Sequence, residues 1–256
     1  IKFIFSAVLV FLIVLLSFKS FFLKDKIKPS KNIVYRSVNI FDNKSSNTTA
    51  SAFVPFSSSF NVEEAGSMAE SVSSIFWVSS GGRLSVNNAI ADTIQGDLLP
   101  TDNWYTVYLA SNAIDTDAGI HPQNIFRLVT KNVWKDATQS LYFKINKLNL
   151  SSSPNRNASN GIFMMQRYTD SNNLYYTGLR VDGYAVIKKK INGNYFTMAS
   201  AKVFDGTYDH DSAPNLLPLN TWVGFRTETI NNTNGGVDIN IYVDKAGNGT
   251  WVKVLS

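Results

Sequence analysis

From residue 75 to the C-terminus, apolar and polar side chains alternate in short runs separated by turn residues, the texture of β-strands rather than helices. Four runs stand closest together: Gly161–Tyr168, Leu174–Val181, Tyr184–Ile191 and Asn194–Ser200. Thr169–Asn173, Asp182-Gly183 and Asn192-Gly193 separate them. The two dipeptides accept positive φ at low cost and predict two-residue type I′ hairpins. The result is an antiparallel meander, and strand parity then says which side chains share a face.

The same reading extends outward. Ile75–Ser79 and Arg83–Val86 flank Gly81-Gly82, a predicted hairpin or bend. Trp104–Ala110, Ile125–Thr130 and Ser140–Lys147 are further strand candidates. In the last, Leu141, Phe143 and Ile145 alternate with Tyr142, Lys144 and Asn146. Trp222–Ile230 and Val237–Val243 face each other across Asn231–Gly236. Val237, Ile239, Ile241 and Val243 form one side of the latter, and Asp238, Asn240, Tyr242 and Asp244 the other. Thr250–Leu255 opens one more strand and the sequence then stops, which reads as a domain cut short at its C-terminus. Short strands with no interior helix predict an all-β, two-sheet antiparallel β-sandwich over residues 75–256.

The N-terminal quarter has a different texture. Phe3–Phe18 is almost wholly apolar, and Phe21-Phe22-Leu23 continues it past Lys19. A helix of this length spans roughly 30 Å, enough for a hydrocarbon core. Residues 1–24 are therefore expected to be an N-terminal hydrophobic helix, either a transmembrane anchor or a signal peptide. No A-x-A site follows closely, which favours the anchor. Lys19, Lys24, Lys26, Lys28, Lys31 and Arg36 follow the span and only Lys2 precedes it, so charge bias alone would hold the body in the cytoplasm. The sequence opens on Ile, and basic residues further upstream would change that balance. The expectation adopted is export, with the body outside the cytoplasm, membrane-anchored or secreted. Residues 25–74 read as a flexible linker rich in Asn, Ser and Lys. Within it Asn61 and Glu64 resemble an N-cap pair, predicting a short helix over Val62–Val72.

Composition narrows the chemistry. At 256 residues the chain has room for one sandwich plus an anchoring segment, or for two small domains. With no cysteine there is no disulfide framework and no thiolate metal site. A net charge of +5 without a concentrated basic patch gives no nucleic-acid footprint. Phosphate-loop, dinucleotide and nucleophile-elbow motifs are absent from the sequence. His121 and His210 lack the spacing of a zinc pair. Asp205, Asp209 and Asp211, and separately Asp115 and Asp117, are weak calcium candidates without EF-hand spacing, and Asp is in any case a common turn residue. No cofactor is expected otherwise.

Asp170–Ala199 contains Asn-Leu-Tyr-Tyr-Thr-Gly-Leu-Arg-Val-Asp-Gly-Tyr followed by Lys-Lys-Lys-Ile-Asn-Gly. This run resembles the central strands of the concanavalin A-like lectin/glucanase superfamily, and in particular bacterial laminin-G-like jelly rolls. Trp222–Arg226 and Val237–Asp244 are similar to the strands that come next in such domains. The resemblance covers roughly residues 75–256. It implies a jelly roll on a bacterial surface that binds carbohydrate on its concave sheet.

The candidate chemistry divides into three readings. Superfamily glucanases carry E-x-D-x-E on one strand. This chain has four Glu, of which Glu228 alone lies in the body, so glycosidase chemistry is disfavoured. A polysaccharide lyase needs a cation against the uronate carboxylate and a base for the α-proton. Tyr176, Arg180 and His210 are the candidates for those roles, with Gln166, Lys188, Lys190 and Arg226 able to complete the set. The Arg226-Thr227-Glu228 run resembles an alginate-lyase strand, but the companion motifs are missing. Binding without turnover asks least. Arg180, Lys188, Lys190 and Arg226 would pair with acidic groups, Tyr176 and Trp222 would stack on sugar rings, and Glu228 would accept hydroxyl protons. Against this, lysine triplets commonly guard a sheet edge and sandwich tryptophans are usually core. The expected activity is binding of an acidic glycan without catalysis, with Tyr176, Arg180, Lys188 and Arg226 converging in one groove. A lyase and a protein-binding adhesion module are the rivals.

Overall fold

In a computed structural model the described residues are 33–36, 60–64, 76–78, 82–87, 90–94, 96–121, 126–130 and 135–256. The Phe3–Leu23 run lies outside them. Among the described residues no helix is long and apolar enough to cross a membrane.

Among the described residues there are fourteen strands and one helix. The strands are β1 Ile33–Arg36, β2 Phe60–Glu64, β3 Phe76–Val78, β4 Gly82–Asn87 and β5 Ile90–Thr93. After α1, Asn103–Asn112, come β6 Leu128–Thr130, β7 Ala137–Ile145, β8 Gly161–Asp170, β9 Asn173–Arg180 and β10 Tyr184–Ile191. Then follow β11 Asn194–Lys202, β12 Val223–Asn231, β13 Val237–Asp244 and β14 Val252–Leu255. An eight-stranded sheet has the order β14-β13-β12-β7-β1-β5-β4-β2, a four-stranded sheet the order β11-β10-β9-β8, and β3 pairs with β6 alone. All strand pairings are antiparallel.

The two large sheets pack face to face, and period-two alternation explains how. Phe143 of β7, Val223 and Phe225 of β12, and Ile239, Ile241 and Val243 of β13 point inward from one sheet. Met164 of β8, Leu179 of β9, and Ala185 and Ile187 of β10 meet them from the other. Polar side chains also sit in this apolar layer. Thr177 and Thr227 are fully buried and their hydroxyls hydrogen-bond across the gap at 2.6 Å, so each satisfies the other. Gln166 Nε2 donates to Thr177 Oγ1 from β8.

The meander of β8–β11 forms as its alternation requires, with one turn differing. Asn192 and Gly193 both have positive φ, as a type I′ turn needs. At Asp182-Gly183 only the glycine does, and Gly183 N–H donates to Arg180 C=O. The loop is therefore three residues, Val181–Gly183, closed by a left-handed glycine that returns the strand to register. Asp182 selects this form, since its carboxylate takes both Tyr184 N–H and Arg180 Nη2.

Four further expectations are corrected. Trp104–Ala110 is helical rather than extended. Its β-favouring residues are overridden because Trp104 and Tyr108, one turn apart, meet at a tilt with ring centroids 6.2 Å apart, and Tyr108 is buried against Ile94 and Leu98. No hairpin joins Ile75–Ser79 to Arg83–Val86: β3 pairs with β6, while β4 lies between β5 and β2. The start of the expected Val62–Val72 helix belongs instead to β2, Phe60–Glu64, which pairs antiparallel with β4. Finally, β1 and β2 both fall in the stretch read as a linker, and β1 bridges β7 and β5 inside the large sheet.

Candidate functional site

The outward face of the large sheet carries the most organised polar cluster. Register sets three rows across β7, β12 and β13: Tyr142–Gly224–Asp244, Ser140–Arg226–Tyr242, and Thr138–Glu228–Asn240. Because Val223, Phe225 and Thr227 face the core, Arg226 and Glu228 must face outward. Trp222, one residue before β12, stands beside Lys144, whose ammonium is 5.7 Å from the indole centroid.

Arg226 is the centre of this face. Only 9% of it is exposed, yet among the described residues it forms no ion pair. Its guanidinium carbon lies 4.2 Å from the Trp251 ring centroid and 6.0 Å from that of Tyr242, and Nε donates to Ser140 Oγ at 3.1 Å. The planar group is thus held by stacking and by one hydrogen bond on its inner edge. Trp251 in turn packs at a tilt on Tyr142, with ring centroids 5.4 Å apart, and one edge of its indole comes over Gly224. A Cβ at Gly224 would come within 2.7 Å of the indole, so glycine is what lets the ring approach the strand. Tyr142 OH donates to Asp244 Oδ2 and Tyr242 OH donates to Glu228 Oε2. Burial, then the Glu228 carboxylate, push the Tyr242 phenol up. Trp251 Nε1 is buried without an acceptor among the described residues.

The other candidates lie on the opposite side of the molecule. Tyr176, Arg180, Lys188 and Lys190 share the outward face of the four-stranded sheet, where Lys188 is registered with Tyr176. The expected convergence of Tyr176, Arg180 and Lys188 with Arg226 does not occur, because β9–β10 and β12 belong to different sheets whose outward faces point apart. Parity within a strand orders its own side chains and says nothing about which sheet the strand joins.

Each residue considered for a lyase has partners of its own. Burial, then the neighbouring Tyr195, push the Tyr176 phenol up to about 12, against the lowering by Arg180. Arg180 is spent on Asp182 at 2.6 Å and on Ala158 C=O. His210 is bonded to Asp211 and Arg156 in a separate loop.

Of the calcium candidates, Asp115, Asp117, Asp209 and Asp211 are engaged locally. Asp209 caps its own turn through Asp211 N–H and Ser212, which holds its carboxyl below the usual range. Asp115 accepts from Ser153 and Asn155, and Asp117 from His121, Ser151 and Ser152. Among the described residues no group of three His, Asp or Glu side chains is placed to hold a metal ion. A mostly aliphatic groove of about 460 Å3 opens at the seam between β11 and β14, and none of the sequence-derived candidates lines it.

Tyr142, Tyr242 and Trp251 were not among the residues singled out for binding. Strand parity placed Tyr142 and Tyr242 on their polar faces, which is a usable signal. Trp251 reaches Arg226 only through the turn between β13 and β14, which parity does not describe.

The fold and site define an antiparallel, mostly β protein with face-to-face sheets and a stacked arginine on one outer face. Comparison with family models, curated proteins and solved structures gives no match.

Proposed function

We propose that this chain is a non-catalytic carbohydrate-binding jelly roll of the concanavalin A-like type, and that it takes an acidic sugar at the Arg226 face. The observation that carries the reading is a guanidinium almost removed from water that forms no ion pair among the described residues. Burying a cation without a counter-ion is costly, and the cost is offset when an anion arrives. Nε is already engaged, so the Nη edge is the part of the fork left to pair with a uronate carboxylate or a sulfate. Trp222, Tyr242 and Trp251 supply aromatic surface for the apolar face of a sugar ring, and Glu228 accepts from its hydroxyls. The protein works outside the cytoplasm, secreted or held by residues 1–24, and needs no cofactor.

Calorimetric titration with galacturonate, alginate and hyaluronan oligosaccharides, and with a neutral glucan, tests this. Expected is binding of at least one acidic oligosaccharide, none of the glucan, and loss in Arg226→Gln. Equal binding of the glucan, or no binding of any acid, overturns the reading. An unsaturated-uronate absorbance growing during the titration would establish the lyase instead.

A further inference from the structure

The second face has its own character, concentrated at one end of the four-stranded sheet. There the β8–β9 and β10–β11 turns lie side by side, tied by Gly193 N–H to Asn172 C=O and by Asn192 N–H to Asn173 Oδ1. Around these two tips the large apolar side chains point into solvent. Tyr195 is 59% exposed, Phe196 49%, Ile191 44% and Tyr168 43%. Soluble proteins seldom gather such residues without a partner.

The same end is cationic. Lys190 Nζ sits 4.6 Å from the Tyr195 centroid and Lys189 Nζ 5.9 Å from that of Phe196. Among the described residues none of Lys188, Lys189 and Lys190 forms an ion pair. Asp170, at the neighbouring turn, is the acid whose charge Lys190 reaches, and Asn173 and Asn172 hold that carboxylate first. Exposed aromatics whose rings are flanked by long, unpaired lysines match a layered partner. That partner is apolar beneath and anionic above, so the stems and rings enter while the ammoniums stay at the level of the phosphates.

We propose that the paired hairpin tips dock on an anionic lipid surface, with Ile191, Tyr195 and Phe196 entering the headgroup boundary and Lys188–Lys190 pairing with lipid phosphates. This surface is independent of Arg226, which lies on the other sheet. Its occupant is a bilayer rather than a free sugar, because four solvent-facing apolar side chains have no use for a fully hydrated polyanion.

The chain has no cysteine, so one introduced thiol reports one position. Asn194→Cys at the tip and Asn234→Cys in the β12–β13 turn, each carrying an environment-sensitive NBD dye on the full chain, separate tip docking from any association through residues 1–24. On vesicles of phosphatidylcholine and phosphatidylglycerol (3:1), the tip dye is expected to shift blue and the Asn234 dye to stay unchanged. Lys188→Glu with Lys190→Glu should weaken the tip signal at least about twentyfold, and half-molar salt should suppress it. An unchanged tip dye on these vesicles overturns the proposal. So does an equal shift on pure phosphatidylcholine, or a response to soluble polygalacturonate but not to vesicles.

Discussion

Replacing Arg226 by Met separates a binding residue from a structural one. Methionine keeps the unbranched stem that packs beside Trp251 and Tyr242 and removes only the charged head. The substitution loses the Nε bond to Ser140, worth about 1 kcal/mol net, and a stacked cation at 4.2 Å, worth about 1–2 kcal/mol. It also removes a guanidinium that is 9% exposed and has no counter-ion among the described residues, a desolvation burden of several kcal/mol. These terms oppose each other. The expected stability change is within about 1 kcal/mol of zero, or a gain of about 1–2 kcal/mol. Arg226→Ala, which leaves the two rings unsupported as well, should cost about 2–3 kcal/mol. Urea unfolding followed by circular dichroism measures both, and titration with the acidic oligosaccharide that binds the wild type measures function. The expected pattern for Arg226→Met is native stability with binding lost. A loss above about 3 kcal/mol with binding retained would show that the arginine holds the sheet together and reads no ligand.

Three other outcomes follow from the geometry. Gly224→Ala puts a Cβ at 2.7 Å from Trp251 and 2.9 Å from both Asp244 and Tyr142, so it should cost about 1–3 kcal/mol in urea unfolding and weaken glycan binding by moving the indole. Thr177→Val strands Thr227 and the Gln166 amide together and should cost about 2 kcal/mol; Thr227→Val leaves Thr177 its Gln166 partner and should cost less, and the double valine should recover part of the loss in a double-mutant cycle. Asp117 is pushed up by burial, but hydrogen bonds from His121, Ser152 and Ser151 outweigh this and bring its carboxyl down to about 2. A carboxylate lowered on folding stabilises the protein above the ordinary value of 3.8, and that stability disappears as pH falls through 2. Asp117→Asn should therefore flatten the acid limb of the stability profile between pH 5 and pH 2, measured by denaturant midpoints.

Much of the sandwich was legible because its strands alternate strongly. The inward sets Val237, Ile239, Ile241, Val243 and Leu141, Phe143, Ile145 can be read directly, and both pack into or against the core. The meander was legible through Asn192-Gly193. What failed has a common cause in long-range context. Trp104–Ala110 has the composition of a strand, and only the Ile94 and Leu98 surface beneath Tyr108 makes it a helix. Tyr35 of β1 pairs with Phe143 of β7, 108 positions further along the chain, and no local pattern announces that pairing. At the site, parity correctly put Arg226 with Glu228 and, separately, Tyr176 with Lys188. It was silent on the sheet each strand would join, and so merged two faces into one.

The claim that matters most is that Arg226 offers an open anion-binding fork. Its guanidinium resonances, assigned in 15N-detected spectra by their loss in Arg226→Gln, report this directly during titration with the acidic oligosaccharide that binds. Shifted and slowed Nη signals, saturating with the calorimetric affinity, are the expected result. Unmoved Arg226 signals, with the ammonium signals of Lys188 and Lys190 moving instead, would contradict the account.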